Sequence, residues 1–220
     1  MCTNFAGTRN EAWVKKTLGV GLPLELGRLE VFPGYLALVA MLDASRQSAE
    51  INSARFGLIP NWAKDAAIGR KTYNCRSETV AEKPSYRTPW RKRQFAIALM
   101  DHFYEPNWET GKAERWQICR RDGEPMGVAC IWDRWIEPLT GEVVTSFSML
   151  TVNADGHPVM GRFHRPGDEK RSVVLLPTDR FNDWLHASVE EAQNMIVVPA
   201  PGLLECAWAP RQPAKMGLFD

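Results

Sequence analysis

Residues 95–100 read FAIALM, and the polar group DHFYEP follows directly at residues 101–106. Six consecutive apolar residues bounded by polar ones predict a fully buried β-strand. Glu105 then lies at the end of a buried element, where a partly desolvated carboxylate suits proton transfer. A solvated loop carboxylate fits the same pattern equally well.

The segments on either side predict a mainly antiparallel sheet. Residues 114–119 and 126–132 predict the two strands of one hairpin, with turn residues 121–123 between them. Residues 143–151 and 173–176 predict a second pair. Further strands are expected at residues 31–32, 35–41 and 51–59.

Short helices are expected around this sheet. Asn10 is a plausible N-cap for a helix that ends at Gly19, and Thr178 for a helix over 179–186. Another helix is predicted at 189–195, followed by an irregular Pro-rich tail. The sequence therefore predicts an α+β fold in which residues 1–220 form a single domain with a mostly antiparallel, barrel-like β core and peripheral short helices.

The composition excludes several classes of protein. The 220 residues are 45% hydrophobic and contain no apolar run of 18, so no membrane-spanning helix is expected. Five scattered cysteines without a CxxC pair argue against a disulfide framework and a zinc site. We therefore expect a cytoplasmic, monomeric protein without a metal or cofactor. The net charge of +1 confines any nucleic-acid affinity to a local patch.

Cys2 follows the start residue Met1, and removal of Met1 would leave a thiol and a free α-amine on adjacent carbons. Such an amine condenses with an aldehyde to an imine, and the thiol then closes a thiazolidine ring. Because ring closure is intramolecular, well-oriented groups reach effective molarities of roughly 10⁵ M or more. Taken alone, Met1-Cys2 is more simply explained as an accidental cysteine at a frayed terminus.

Two polar positions are further candidates. Asn74 and Arg76 lie in the polar segment 72–79, where they would hold a sugar hydroxyl or phosphate, or merely satisfy backbone groups. His164 lies between arginines and is either an acid–base group or a loop histidine.

The segment 86–93 mixes Tyr86 and Trp90 with four cations. Aromatic rings among cations suit single-stranded nucleic acid, with bases stacked on the rings and Arg87 on a phosphate. A solvated strand edge protected from aggregation explains the same residues.

Together, motifs in this order resemble the SRAP family (SOS response-associated peptidase), also described as abasic-site processing proteins. They are Met1-Cys2, FGLIPNW at 56–62, NCRSET at 74–79, YR at 86–87, FYE at 103–105, TVNA at 151–154, and the His164 loop leading into VVLLP at 173–177. The resemblance implies covalent capture of abasic sites in single-stranded DNA. Mature Cys2 would be the nucleophile, with its aminothiol exposed in a cleft. Asn74 would position its amine and the sugar, Glu105 would shuttle protons, and His164 would assist ring opening and reversal.

The resemblance also implies DNA contacts. Arg76 and Arg87 match arginines that contact phosphates, while Pro33 and Trp62 resemble an apolar wedge beside the lesion. An imine intermediate would also permit weak lyase activity.

Three departures from the family pattern affect these expectations. Thr3-Asn4 stands where the family opens Cys-Gly-Arg, so one phosphate-binding arginine is missing. Phe56 replaces a tryptophan, and Pro106 an aromatic residue. Residues 164–172 read HRPGDEKRS in place of a short His-x-Arg-Met-Pro motif, which assigns the phosphate contact to Arg171, with Arg165 as the alternative.

Two other functions use the same residues. Cys2 would be the nucleophile of an N-terminal cysteine peptidase or amidase. Alternatively, Trp62, Arg87 and Arg91 would form a non-catalytic module that binds single-stranded DNA.

Overall fold

A computed structural model describes residues 2–211. Met1, and with it the expected removal of Met1, lies outside the described residues, as do residues 212–220 of the tail.

The described residues form twelve strands and four α-helices. The strands are β1 (Asn4–Gly7), β2 (Glu30–Val31), β3 (Leu36–Leu42), β4 (Ala49–Phe56), β5 (Asn74–Arg76), β6 (Phe95–Asn107), β7 (Glu114–Arg120), β8 (Met126–Ile136), β9 (Val143–Asn153), β10 (Arg171–Val173), β11 (Leu175–Leu176) and β12 (Leu204–Trp208). The helices are α1 (Glu11–Leu18), α2 (Arg87–Arg91), α3 (Phe181–His186) and α4 (Val189–Met195).

Five of the strands close into a barrel in the order β3, β4, β9, β8 and β6, with β6 returning to β3. Strands β4 and β9 run parallel, and the other four pairings of the barrel are antiparallel. The predicted α+β class with a mostly antiparallel, barrel-like core is confirmed.

The first six residues of β6 are all apolar because both faces of the strand are buried there. Ala96, Ala98 and Met100 belong to one core cluster, which draws on the barrel strands, and the alternate residues Ile97 and Leu99 belong to a second. The second cluster includes side chains of α1 and α3. Since successive side chains of a strand point to opposite faces, both faces of β6 are buried here.

The predicted hairpin between 114–119 and 126–132 is wrong. Strands β7 and β8 do not pair with each other; both run antiparallel to β6, with β7 opposite His102–Asn107 and β8 opposite Phe95–Met100. The turn around Gly123 therefore separates two strands, β7 and β8, that pair one after the other with the same edge of β6.

Several local predictions agree with the structure, and two do not. The Asn10 side chain accepts from Trp13 N, as an N-cap should, and the helix at 189–195 is present. Thr178 makes no cap, because it begins a 3₁₀ turn that precedes α3. The tail is not wholly irregular, since β12 pairs with β7. Within residues 2–211, no helix combines the length and apolar character needed to cross a membrane.

The loop after β4 depends on a close approach of two backbones. Gly57 has φ +114°, and a Cβ there would lie 2.2 Å from the carbonyl oxygen of Gly69. Gly69 belongs to the 3₁₀ segment Ala66–Lys71. Any side chain at Gly57 would therefore push this segment away from the barrel.

Gly57→Ala is expected to lower the free energy of unfolding by about 3 kcal/mol, through backbone strain and overpacking. Gly123→Ala is the matched control, because Gly123 also has positive φ (+73°) but faces open space. We expect the control to cost only about 1 kcal/mol. Urea unfolding measures both, and equal losses would contradict the proposed role of the Gly57–Gly69 contact.

Candidate active site

Cys2 lies just before β1, inside the molecule. Strand β1 runs antiparallel to β6 with Asn4 opposite Tyr104, so residues 2 and 3 continue along the last residues of β6. The Cys2 side chain is 1% exposed and belongs to the barrel cluster. We expected an exposed aminothiol, and burial of the thiol corrects that expectation.

Asn74 holds the backbone of Cys2. The Asn74 Nδ2 donates to the Cys2 carbonyl oxygen at 2.7 Å. Strand β5 carries Asn74 against β9, and the Tyr86 hydroxyl donates to the Asn74 carbonyl oxygen at 3.1 Å. Within residues 2–211, the buried Asn74 Oδ1 has no hydrogen-bond partner. This amide oxygen is therefore available to a donor brought into the site.

Glu105 and His164 form the second part of the site. Glu105 Oε2 lies 3.4 Å from His164 Nε2, and their side chains are 2% and 11% exposed. His164 has φ +66°, which is unusual for a residue with a side chain. The backbone N–H of His164 donates to the Pro106 carbonyl oxygen at 3.1 Å. The loop is thus fixed to the residue that follows Glu105.

Burial and a nearby carboxylate set the electrostatics of the thiol. Burial, and next the negative charge of Glu105, raise the pKa of Cys2 well above the ordinary value. Burial, then Glu105 and Cys2, also raise the pKa of Tyr73. Sequence reasoning missed Tyr73, whose only signal was its position directly before Asn74. The Cys2 thiol is protonated at neutral pH.

The predicted base-stacking role of the 86–93 segment requires correction. Trp90 is 1% exposed and packs against Phe95, with ring centroids 5.3 Å apart. Tyr86 is half-buried and supports Asn74. Both rings therefore stabilise the fold, while Arg87 is exposed.

The other predicted DNA contacts lie at different depths. Trp62 is 53% exposed, and Pro33 is half-buried. Arg165 is exposed and lies over the Trp108 ring, 5.0 Å from its centroid. Arg76 is half-exposed, whereas Arg171 is buried among carboxylates. The roles of these residues in DNA binding stay predictions.

A cavity of about 290 Å³ opens beside Glu105. Arg115 of β7 lines it, stacks on the Tyr104 ring at 3.3 Å, and donates to Asn4 Oδ1 at 3.0 Å. Arg115 also pairs with Glu30. An arginine from β7 therefore contacts the Asn4 side chain, and no sequence signal pointed to it.

The four catalytic candidates thus come together in two contacts, Asn74 with Cys2 and Glu105 with His164, and Glu105 influences the Cys2 thiol. Among residues 2–211, no three His, Cys, Asp or Glu side chains are grouped as a metal site would require. The arrangement brings together a buried thiol, an amide that holds the backbone of the same residue, and a buried carboxyl–imidazole pair.

Alkylation tests the burial of the thiol. In the folded protein, iodoacetamide is expected to modify the half-buried Cys119 and Cys206 at least about tenfold faster than Cys2, because alkylation requires an accessible thiolate. Peptide mass spectrometry over a time course at pH 8 measures the rates. The difference should vanish in urea, and fast modification of native Cys2 would contradict the buried site.

Curated relatives share much of this sequence. Abasic site processing protein YoqW of Bacillus subtilis is 29% identical over 157 residues, which are 71% of this chain and 65% of YoqW. Abasic site processing protein HMCES of Rattus norvegicus is 30% identical over an alignment of 187 positions that covers 70% of this chain and 51% of HMCES. The matches therefore span about half to two thirds of the length of these relatives.

Solved structures share the fold. A crystal structure of a Bordetella bronchiseptica protein superposes with a TM-score of 0.87 at 30% identity, covering 96% of this chain and all of that one. A Bacteroides thetaiotaomicron protein shares the fold with a TM-score of 0.78 at 19% identity, covering 94% of this chain and 91% of that one. The family model described as SOS response associated peptidase (SRAP) matches residues 1–210, and the chain belongs to this family.

Proposed function

We propose that this chain captures abasic sites in single-stranded DNA covalently, through Cys2 made amino-terminal by removal of Met1. The observation that carries the proposal is the Asn74 hydrogen bond to the Cys2 carbonyl, at a site where Glu105 acts on the thiol and contacts His164. The names of the relatives YoqW and HMCES, abasic site processing proteins, support abasic sites as the substrate.

The amine acts first, because the raised pKa of the Cys2 thiol keeps the sulfur protonated. Its nitrogen attacks the aldehyde carbon of the ring-opened sugar, and one water leaves to give an imine. The Asn74 Oδ1, which lacks a partner within residues 2–211, accepts an N–H of this amine and orients it.

Ring closure then uses the thiol. The Cys2 sulfur attacks the imine carbon, Glu105 receives the thiol proton, and the nitrogen regains a proton, so the thiazolidine forms with the loss of one water overall. Holding both groups on one residue makes this step intramolecular. His164, 3.4 Å from Glu105, assists sugar ring opening and the reverse reaction. The imine also allows weak β-elimination at the 3′ side.

The DNA strand is held by exposed arginines and by two apolar residues of differing exposure. Arg76, Arg87 and Arg165 contact phosphates, and Pro33 and Trp62 lie against bases next to the lesion. An abasic nucleotide has no base to unstack, so extruding it costs little.

The adduct provides the first test. The protein is expected to form one adduct with a single-stranded oligonucleotide that carries one abasic site, visible on a denaturing gel. Its intact mass should equal the sum of the oligonucleotide and the protein without Met1, minus one water. Cys2→Ala should abolish the adduct, whereas Cys206→Ala, the matched control, should retain it. Full adduct formation by Cys2→Ala would rule out this nucleophile.

Glu105→Gln tests the proton shuttle. The substitution keeps the shape of the buried side chain but removes its basicity, so the rate of adduct formation should fall by roughly 10²-fold or more. Single-turnover gels measure the rate, and thermal melting shows whether the variant folds. Glu114→Gln at the β6–β7 turn is the control. An unchanged rate in a folded Glu105→Gln protein would exclude the shuttle.

The same assays separate the two alternatives. A cysteine peptidase or amidase, the activity in the family description, would turn over an amide substrate and lose that turnover in Cys2→Ser. A non-catalytic binding module would give no adduct and would bind intact and abasic strands equally. Its complex would dissociate as salt increases, whereas a covalent adduct would persist.

A further inference from the structure

Glu169 bridges Arg76, which the proposed function assigns to a phosphate, and Arg171, to which the family resemblance assigns one. Its Oε2 lies 2.6 Å from Arg76 Nη1, and its Oε1 accepts from Arg171 Nη1 at 2.7 Å. Asn153 Nδ2 also donates to Oε1, at 3.1 Å. Both oxygens of one carboxylate are therefore engaged as the oxygens of a bound phosphate would be.

The two arginines differ in what else holds them. Arg171 is 3% exposed, and its two terminal nitrogens donate to Glu78 at 2.8 Å each, with a further bond to the Thr151 carbonyl oxygen at 2.7 Å. Arg76 is 52% exposed, and its ion pair within the described residues is the one with Glu169. Loss of Glu169 would leave Arg171 anchored and Arg76 open to a new anion.

Glu169 belongs to the loop that departs from the family pattern. Residues 165–168 of this loop are exposed, and the Lys170 Nζ donates to the carbonyl oxygens of His164 and Arg165 at 3.3 and 2.9 Å. The carboxylate thus comes from the segment that also carries His164. The hydrogen bond from Arg171 lowers the pKa of Glu169, so the carboxylate is charged at neutral pH.

Two arginines facing two carboxylates, Glu78 and Glu169, present no net charge to a DNA strand. Ion pairs between partly exposed side chains contribute only about 0–1 kcal/mol, so a phosphate is able to displace Glu169 from Arg76. Arg171, whose side chain is buried, keeps its ion pair with the partly exposed Glu78.

We propose that Glu169 occupies the place of a DNA backbone phosphate on Arg76 and Arg171, and that a strand must displace it to bind. This inference rests on the proposed function and adds a residue that limits affinity. By weakening the reversible complex with intact strands, Glu169 makes lasting attachment depend on the covalent bond at an abasic site.

The test compares Glu169→Gln with Asp122→Asn. Asp122 pairs with Arg120 on the turn after β7, so its variant removes one negative charge and one arginine partner outside the site. Binding of an intact, fluorescently labelled oligothymidine to proteins that also carry Cys2→Ala is followed by anisotropy across a salt series. Glu169→Gln should tighten binding by roughly tenfold, which corresponds to 1.4 kcal/mol. Its slope of log affinity against log salt should steepen by about 0.7 per added phosphate contact.

Three outcomes would overturn the inference: equal tightening by Asp122→Asn, weaker binding by Glu169→Gln, or a lower melting temperature without any change in affinity. Glu169→Asp, which keeps the charge, should bind like the unaltered protein. Crosslinking is scored separately with Cys2 intact. Tighter binding of Glu169→Gln to intact DNA without adduct formation on abasic DNA would support the role of Glu169 and refute the proposed function. Adduct formation without tighter binding would do the reverse.

Discussion

The pairing of strand β6 along both of its edges is the constraint from which the site follows. One edge pairs with β3 and then β1, and the other with β8 and then β7. The strand is thereby held over its thirteen residues, first within the barrel and then beyond it. Glu105 lies in the second part, on the buried face with Phe103, so the fold places a carboxylate where water is largely excluded.

Two hydrogen bonds between distant segments hold the other residues of the candidate site. The Asn74 amide spans 72 residues of sequence to hold the Cys2 backbone, and the His164 loop is bonded to Pro106. The positive φ of His164 is a strained conformation that persists because the neighbouring bonds determine it. Four separate segments therefore meet, two of them on the paired strands β5 and β6 and two held by hydrogen bonds to Asn74 and Pro106.

The sequence predicts strands and caps that leave a local pattern, but it does not predict which strands pair when two of them share one edge of a third. The apolar run at 95–100 and the Asn10 cap could be predicted, because burial on both faces and capping leave local signals. The predicted hairpin was wrong because the turn signal around Gly123 cannot reveal that β6 offers one edge to both β7 and β8. Trp90 was ambiguous, since an aromatic residue among cations looks the same in a core as on a binding surface. The site residues emerged from motif resemblance, and nothing local pointed to Tyr73, Arg115 or Glu169.

Burial and Glu105 raise the pKa of the Cys2 thiol, and Glu169 forms ion pairs with Arg76 and Arg171. A strand that displaces Glu169 would bring a phosphate to Arg76 and, at an abasic position, an aldehyde to Cys2. The same loop carries Glu169 and His164, so displacement of Glu169 would shift the backbone of this loop. That shift would change the position of His164, which contacts Glu105. Strand binding and acid–base chemistry would then be coupled through one short segment, which gives the loop that departs from the family pattern a physical reason to differ.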